Sequence, residues 1–222
     1  IMVASIGNKK YVVQNPAGAN PYTAQTHNNN KTGTDAYVIM WITMANTVNY
    51  GTMKYGGVDM TQIYNQNRSG TSQRMGAWYL NNPSSGNNTI SIGFSGGQFN
   101  PISIAMVSFG NCGGIGNIGL AGLSPTPNNK TLTVSGGSLV WVSACSINTI
   151  TDIEIPVGNS RPAEYTHNTN RQVESSISDS AGLTAGNYTF RTESTFGSVS
   201  NDRTEILAGG APPAGRRRVI IT

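Results

Sequence analysis

Short runs of strand-forming residues, separated by turns rich in Gly, Asn and Pro, constrain this 222-residue chain more than any other feature of its sequence. The runs recur about every ten residues, and none extends into a segment with the 3.6-residue period of an amphipathic helix. Residues 36–45 and 139–147 are apolar on both alternating faces, which is typical of central strands. Residues 89–94 alternate apolar and polar side chains, as a strand with one buried face does. The sequence therefore predicts an all-β chain, an antiparallel β-sandwich of the jelly-roll or immunoglobulin-like type.

The same reading predicts further strands at residues 9–13, 52–55, 58–64, 74–80, 102–109, 131–134, 171–177, 188–192, 203–207 and 219–221. Residues 14–34 are polar, contain the run His27-Asn28-Asn29-Asn30, and favour a long loop. The predicted organisation is an N-terminal strand and extended arm or loop over 1–35, one β-sandwich over 36–208, and a linker with an Arg-rich tail over 209–222.

Composition excludes several classes of protein. Charged residues make up only 11% of the chain, whereas Gly alone accounts for 27 residues, a balance that suits turns and strands rather than long exposed helices or coiled coils. No apolar run reaches the length needed to cross a bilayer, and residues 1–10 do not have the pattern of a signal peptide. We therefore expect no membrane partner.

The net charge of +4 is unevenly distributed, and the end of the chain carries Arg216, Arg217 and Arg218 just before Val219-Ile220-Ile221. A triple Arg serves as a nucleic-acid arm, as a contact to an acidic protein surface, or as a solvated strand end. Nucleic-acid binding usually shows a longer basic stripe with interleaved aromatic residues, so the sequence favours a protein contact and no nucleic-acid partner. These six residues, Arg216, Arg217, Arg218, Val219, Ile220 and Ile221, are the predicted partner-binding site.

Two familiar catalytic or cofactor motifs fail on their context. Residues 114–119 match GxGxxG, but Pro125 and Pro127 follow soon after in a polar segment, and no helix is predicted there to hold a pyrophosphate. Residues 93–97 match GxSxG, but a strand rather than a helix is predicted after Ser95. We expect no cofactor and no nucleophile at either motif.

The remaining reactive side chains do not form a convincing site either. Cys112 and Cys145 either pair or remain buried thiols, and the apolar run around Cys145 favours buried thiols. The spacing of the Cys and His residues fits no metal site. Asp152 and Glu154 share one strand face, the minimum for a glycosidase pair or a Ca²⁺ site, but a solvated strand edge is the favoured interpretation. The sequence therefore predicts a protein that is not an enzyme and binds no metal.

Several segments together are familiar. They read YGGVDMTQI at 55–63, AWYLNNP at 77–83, Gly86 with the alternating residues of 90–96, and AMVSFG at 105–110. Over roughly residues 36–207 the chain resembles a β-sandwich module that recurs in bacteriophage virion structural proteins and in some bacterial extracellular proteins.

That resemblance implies a non-enzymatic part of a virion, located on the capsid exterior or the tail. The compact size favours a capsid decoration or cement protein that binds other virion proteins, with a homotrimer implied by analogy with the family. One alternative is a tail-fibre or receptor-binding protein that contacts a host-surface glycan. Another is a carbohydrate-binding module, for which Trp78, Tyr79 and Trp141 are the candidate stacking residues.

Overall fold

The structure is a computed structural model that describes residues 3–14, 18–44, 48–68, 73–96, 102–146, 148–158, 165–168, 172–178, 181–209 and 219–221. None of these residues is helical, and nearly all strand pairs are antiparallel. The predicted all-β, antiparallel sandwich class is confirmed. Its subtype, jelly-roll or immunoglobulin-like, stays a prediction.

The chain divides into two compact units. The N-terminal unit is Ile6–Gly110, and the C-terminal unit is Asn111–Thr222 together with Ile1–Ser5. This division differs from the single sandwich over 36–208 that the turn spacing favoured, because periodic strands and turns look alike whether they belong to one core or to two.

The described residues of the N-terminal unit form nine strands in two sheets. Their order is β1-β9-β3-β7-β6 in one sheet and β2-β8-β4-β5 in the other. The strands are β1 Ser5–Gln14, β2 Tyr22–Asn29, β3 Tyr37–Met44, β4 Tyr50–Tyr55, β5 Val58–Asp59, β6 Thr61–Arg68, β7 Gln73–Asn81, β8 Gly86–Phe94 and β9 Ile102–Gly110.

The C-terminal unit, where the structure describes it, also forms nine strands in two sheets. Their order is β18-β10-β17-β12-β15-β14 and β11-β16-β13. The strands are β10 Cys112–Pro125, β11 Asn128–Val134, β12 Leu139–Ser146, β13 Ile150–Glu154, β14 Tyr165–Asn168, β15 Gln172–Ile177, β16 Gly186–Ser194, β17 Ser198–Ala208 and β18 Val219–Ile221.

The two units share one strand order. Position by position in the sheets, the order β10-β17-β12-β15-β14 corresponds to the order β1-β9-β3-β7-β6. The order β11-β16-β13 corresponds in the same way to β2-β8-β4. The registers also correspond, since Asn28 pairs with Asn87 in one unit and Thr133 with Asn187 in the other. Only β5 and β18 have no counterpart among the described strands.

Each unit has its own apolar core. Alternate residues of β3, Val38, Met40, Ile42 and Met44, pack in the first core, and Val140, Val142 and Ala144 of β12 pack in the second. Both strands are buried along their length apart from Tyr37, as their apolar patterns predicted. Burial of each Val, Ile or Met side chain among them contributes about 1.5–3 kcal/mol to stability.

Strand β2 lies where the polar composition favoured a loop. Its inward positions include His27 and Asn29, each only 2% exposed, so no apolar alternation marks the strand. The Asn29 amide donates to the backbone oxygens of Lys31 at 2.7 Å and Ser84 at 2.8 Å. Because its hydrogen bonds are satisfied, a buried amide is tolerated there.

Candidate functional site

A polar cleft lies in the N-terminal unit, beside β1 and β2, which stand at one edge of their respective sheets. Its volume is about 330 Å³, the size of a small-ligand site. The lining residues are Asn8, Lys9, Lys10, Thr26, His27, Asn28 and Asn87.

Asparagine side chains join the two edge strands beside the cleft. The backbone N–H of Asn8 donates to Oδ1 of Asn30 at 2.8 Å, and Nδ2 of Asn8 donates to the carbonyl oxygen of Asn28 at 2.8 Å. Edge strands have backbone groups with no ladder partner. The amide hydrogen bonds provide partners for some of these backbone groups and fix the spacing of β1 and β2.

His27 is the buried member of the cleft. Its Nε2 lies 3.1 Å from the carbonyl oxygen of Asn8, and its Nδ1 lies 2.9 Å from the hydroxyl of Tyr55. Because a carbonyl oxygen only accepts, Nε2 carries the proton, and in the neutral ring Nδ1 accepts from the Tyr55 hydroxyl. The imidazole thus links β1, β2 and β4.

Burial controls the ionisation of both rings. It lowers the pKa of His27 below 6.5, the nearby charge of Lys10 lowers this pKa further, and the bond to the Asn8 carbonyl opposes the shift. Burial also raises the pKa of Tyr55 to about 12, against the opposing effect of the Asn88 amide. Both groups are therefore neutral at pH 7.

Net charge is concentrated in the unit that holds the cleft. The N-terminal unit has six Lys and Arg residues against two Asp residues, a net charge of +4, whereas the C-terminal unit has eight basic and eight acidic residues. Neither Asp35 nor Asp59 lines the cleft, and Asp59 pairs with Lys54 at 2.9 Å. The cleft therefore favours an anionic group.

The equivalent edge of the C-terminal unit has different chemistry. Nδ2 of Asn117 donates to the carbonyl oxygen of Thr133 at 2.9 Å, which repeats the bond between Asn8 and Asn28. The carboxylate of Glu205 accepts from the backbone N–H groups of Asn117 at 2.7 Å and Ser135 at 2.6 Å. A buried carboxylate thus joins β10 to the end of β11.

The predicted partner-binding residues fall into two groups. Arg216, Arg217 and Arg218 lie outside the described residues. Val219, Ile220 and Ile221 form β18, which pairs in parallel with Ile118–Leu120 of β10 in the same chain. The terminal strand predicted from the sequence is therefore present, at the edge of the chain's own sheet.

The structure also places the motifs that the sequence analysis discounted. The GxGxxG segment lies inside β10, where the Gly116 and Gly119 positions face the side chains of Glu205 and Arg203. The hydroxyl of Ser95, in the GxSxG segment, accepts from the backbone N–H of Asn49 at 3.1 Å. These contacts give both motifs a structural role.

Asp152 and Glu154 lie on β13 at the edge of its sheet, but the expected solvation of this edge is wrong for Glu154, which is buried. Glu154 accepts from Arg191 at 3.1 Å and from the backbone N–H of Gly158 at 2.6 Å. Arg191 also pairs with Glu193. The Glu154 carboxylate therefore stabilises the turn after β13.

The cysteines and aromatic residues are mostly buried. Cys112 and Cys145 are buried thiols that form no disulfide, as the sequence favoured. Trp78 and Trp141 are buried and Tyr79 is half-buried, so the two tryptophans are core residues rather than stacking surfaces.

Sequence reasoning missed the cleft. Its residues lie in β1 and β8 and in a run that reads as a polar loop. The available signal was the spacing of His27 and Asn29, which suits one strand face. The strand was not predicted because its inward residues are polar, and strands are recognised from apolar residues at alternate positions.

No protein-family model, curated protein or solved structure matches the chain. Within the described ranges, no helix has the length and apolar character needed to span a membrane. The described part of the chain also contains no cluster of three or more His, Cys, Asp or Glu side chains that could hold a metal ion.

Proposed function

We propose that this chain is a non-enzymatic structural protein on the virion surface, a decoration or cement protein that binds the capsid shell and stabilises it. The observation that carries the proposal is β18, a three-residue strand at the edge of a sheet, paired in parallel with β10. Such a short strand at a sheet edge is well suited to exchange onto the sheet of a neighbouring protein, where main-chain hydrogen bonds supply affinity.

The sequence before β18 suits that role. Gly209-Gly210-Ala211-Pro212-Pro213-Ala214-Gly215 has the composition of a linker, and Arg216–218 follow it. The three arginines pair with carboxylates on the shell while β18 adds to a shell protein's sheet. A homotrimer, which the resemblance implies, would present three such tails.

Deletion of residues 210–222 tests this function. Gly209 is retained because its N–H donates to the Asn111 carbonyl oxygen and closes the end of β17. The deletion variant should remain folded and lose saturable co-sedimentation with tail-less, undecorated phage heads. Undiminished occupancy of the heads by the folded variant would refute the proposal.

Two substitution variants separate strand pairing from charge. Ile220→Pro removes a backbone donor from β18, and it should weaken head binding while leaving the three arginines in place. The triple variant Arg216→Gln, Arg217→Gln and Arg218→Gln keeps the strand, and its binding should lose most of its dependence on salt.

The polar cleft favours a second candidate function, host adsorption through a receptor-binding role. A cationic cleft in the N-terminal unit suits contact with a host-surface glycan. Binding of the chain to whole host cells, undiminished by deletion of residues 210–222, would favour this function over capsid decoration.

A further inference from the structure

We propose that the cleft beside β1 and β2 binds an acidic saccharide, with Lys9 and Lys10 contacting its carboxylate or sulfate and Asn8, Asn28 and Asn87 contacting its hydroxyl groups. This binding site goes beyond the proposed virion role and does not depend on it. The tail and the cleft lie in different units of the chain.

Charge supports an anionic ligand. Lys9 and Lys10 line the cleft together, no carboxylate does so among the described residues, and the whole net charge of the chain belongs to this unit. Ammonium groups gathered around a concave surface raise the local concentration of anions.

The other lining groups support a polyhydroxylated ligand. Three amides and one threonine hydroxyl supply both donors and acceptors, which suits sugar hydroxyl groups. The described residues that line the cleft include no Trp, Tyr or Phe, so they offer a nucleobase no flat apolar surface on which to stack. A volume of about 330 Å³ is larger than a bare inorganic anion needs and suits one or two sugar rings.

The cleft is built in advance of binding. Asn8 is held by bonds to Asn28 and Asn30, and His27 is held between Asn8 and Tyr55. Ordered donors and acceptors reduce the entropy cost of capturing a ligand.

Comparison of the two units shows that these groups are not a general property of the fold. When Asn8 is matched with Asn117 through their common hydrogen bond, the positions of Lys9 and Lys10 are occupied by Ile118 and Gly119. By strand register, Leu132 occupies the position of His27. In the C-terminal unit that part of the edge pairs with β18 instead.

Isothermal titration of the full chain tests the site with four probes. Trigalacturonate carries carboxylates, a heparin tetrasaccharide carries sulfates, a neutral galactose trisaccharide carries neither, and inorganic phosphate is an anion without hydroxyl-bearing rings. We expect at least one acidic saccharide to bind about tenfold or more tightly than the neutral trisaccharide and phosphate.

Matched variants locate the binding. The double variant Lys9→Gln and Lys10→Gln removes two charges from strand β1 and should weaken acidic-saccharide binding about tenfold or more. The triple variant Arg216→Gln, Arg217→Gln and Arg218→Gln removes three charges from the tail and should leave the affinity unchanged. Circular dichroism checks that both variants are folded.

The imidazole of His27 supplies a readout that does not depend on affinity. The chain has only two histidines, so the variant His27→Gln assigns the NMR signal of the buried ring. Saturating acidic saccharide should shift that signal.

Three results would overturn the proposal. They are binding of neither acidic saccharide, equal binding of the neutral trisaccharide or of phosphate, and unchanged affinity in the folded Lys9 and Lys10 double variant. A failure here would leave head binding by the tail intact, and a failure of head binding would leave saccharide binding by the tail-deleted chain intact.

Discussion

His27 shows how one buried polar side chain organises a strand that has little apolar character. The ring is 2% exposed, yet both nitrogens lie within hydrogen-bond distance of a partner, Asn8 on one side and Tyr55 on the other. The arrangement is satisfied by a neutral imidazole, because protonation would place a buried cation near Lys10. The folded state therefore selects against the charged ring.

Because the folded state favours the neutral imidazole, we predict that the N-terminal unit loses stability as the pH falls. The pKa of His27 is lowered below its ordinary value of 6.5 on folding, so below that pH the unfolded chain binds more protons than the folded chain. The free energy of unfolding then falls as the pH decreases from 7.5 to 5.5, by at most about 1.4 kcal/mol per pH unit from this group. Urea unfolding at the two pH values measures the loss.

The variant His27→Gln isolates the effect, since it keeps an amide for hydrogen bonding but does not titrate. Its free energy of unfolding should change less between pH 7.5 and 5.5 than that of the unsubstituted chain. An equal pH dependence in both proteins would assign the loss to other groups and contradict the argument from burial.

Strand β10 shows how an element is fitted to the side chains that pack on it. Glu205 and Arg203 of the adjacent strand β17 are buried, and their side chains occupy the space beside Gly116 and Gly119. Arg203 donates to the backbone oxygens of Gly119 and Thr131 at 3.4 and 3.2 Å. Glycine is needed there because a Cβ would displace charged groups that are costly to leave unsatisfied.

Substitution Gly116→Ala should therefore destabilise the chain. A Cβ at this position meets the Glu205 carboxylate, which is held by two backbone N–H groups. We expect a loss of about 1–3 kcal/mol, measured by chemical denaturation with fluorescence detection.

Gly122→Ala is the matched control in the same strand, because no atom lies within 4 Å of a Cβ added there. Its free energy of unfolding should stay within about 0.5 kcal/mol of the unsubstituted value. Equal losses for the two variants would mean that the backbone of β10, rather than the space beside Glu205, requires glycine.

At the scale of the whole molecule, the chain consists of two sandwiches with one strand order and different surface chemistry. The N-terminal unit has a basic, polar cleft at the edge formed by β1 and β2, whereas the corresponding edge strand β10 of the C-terminal unit pairs with β18. The two proposals assign a separate role to each unit, saccharide binding to one and docking on a shell to the other.

The shared strand order predicts a repeated pattern of hydrogen exchange. Strands β3 and β12 lie inside their sheets and are almost fully buried, so amides of Ile39–Trp41 and of Val140–Val142 should exchange slowest in their units. The edge strands β6 and β14 should exchange fastest. Exchange measured by NMR checks this pattern, and slow exchange confined to one unit would contradict it.

The sequence by itself determined the class of fold and much of its core. The runs around Trp41 and Trp141 are apolar on both faces and predict strands buried on both sides. The alternating run that ends at Phe94 predicts a strand with one buried face, because successive side chains of a strand point to opposite faces. Local chemistry also predicted the absence of a helix directly after the GxGxxG segment, which lies inside strand β10, and favoured the buried thiols found at Cys112 and Cys145.

Only the tertiary structure decided the division into two units, the strand nature of Tyr22–Asn29 and the cleft. Each depends on partners far apart in the chain. His27 is acceptable inside a sandwich only because Tyr55 and Asn8 reach it, and Gly116 is required only because Glu205 lies opposite. Hydrogen bonding between distant residues leaves no periodic trace in a sequence, whereas burial of apolar side chains does.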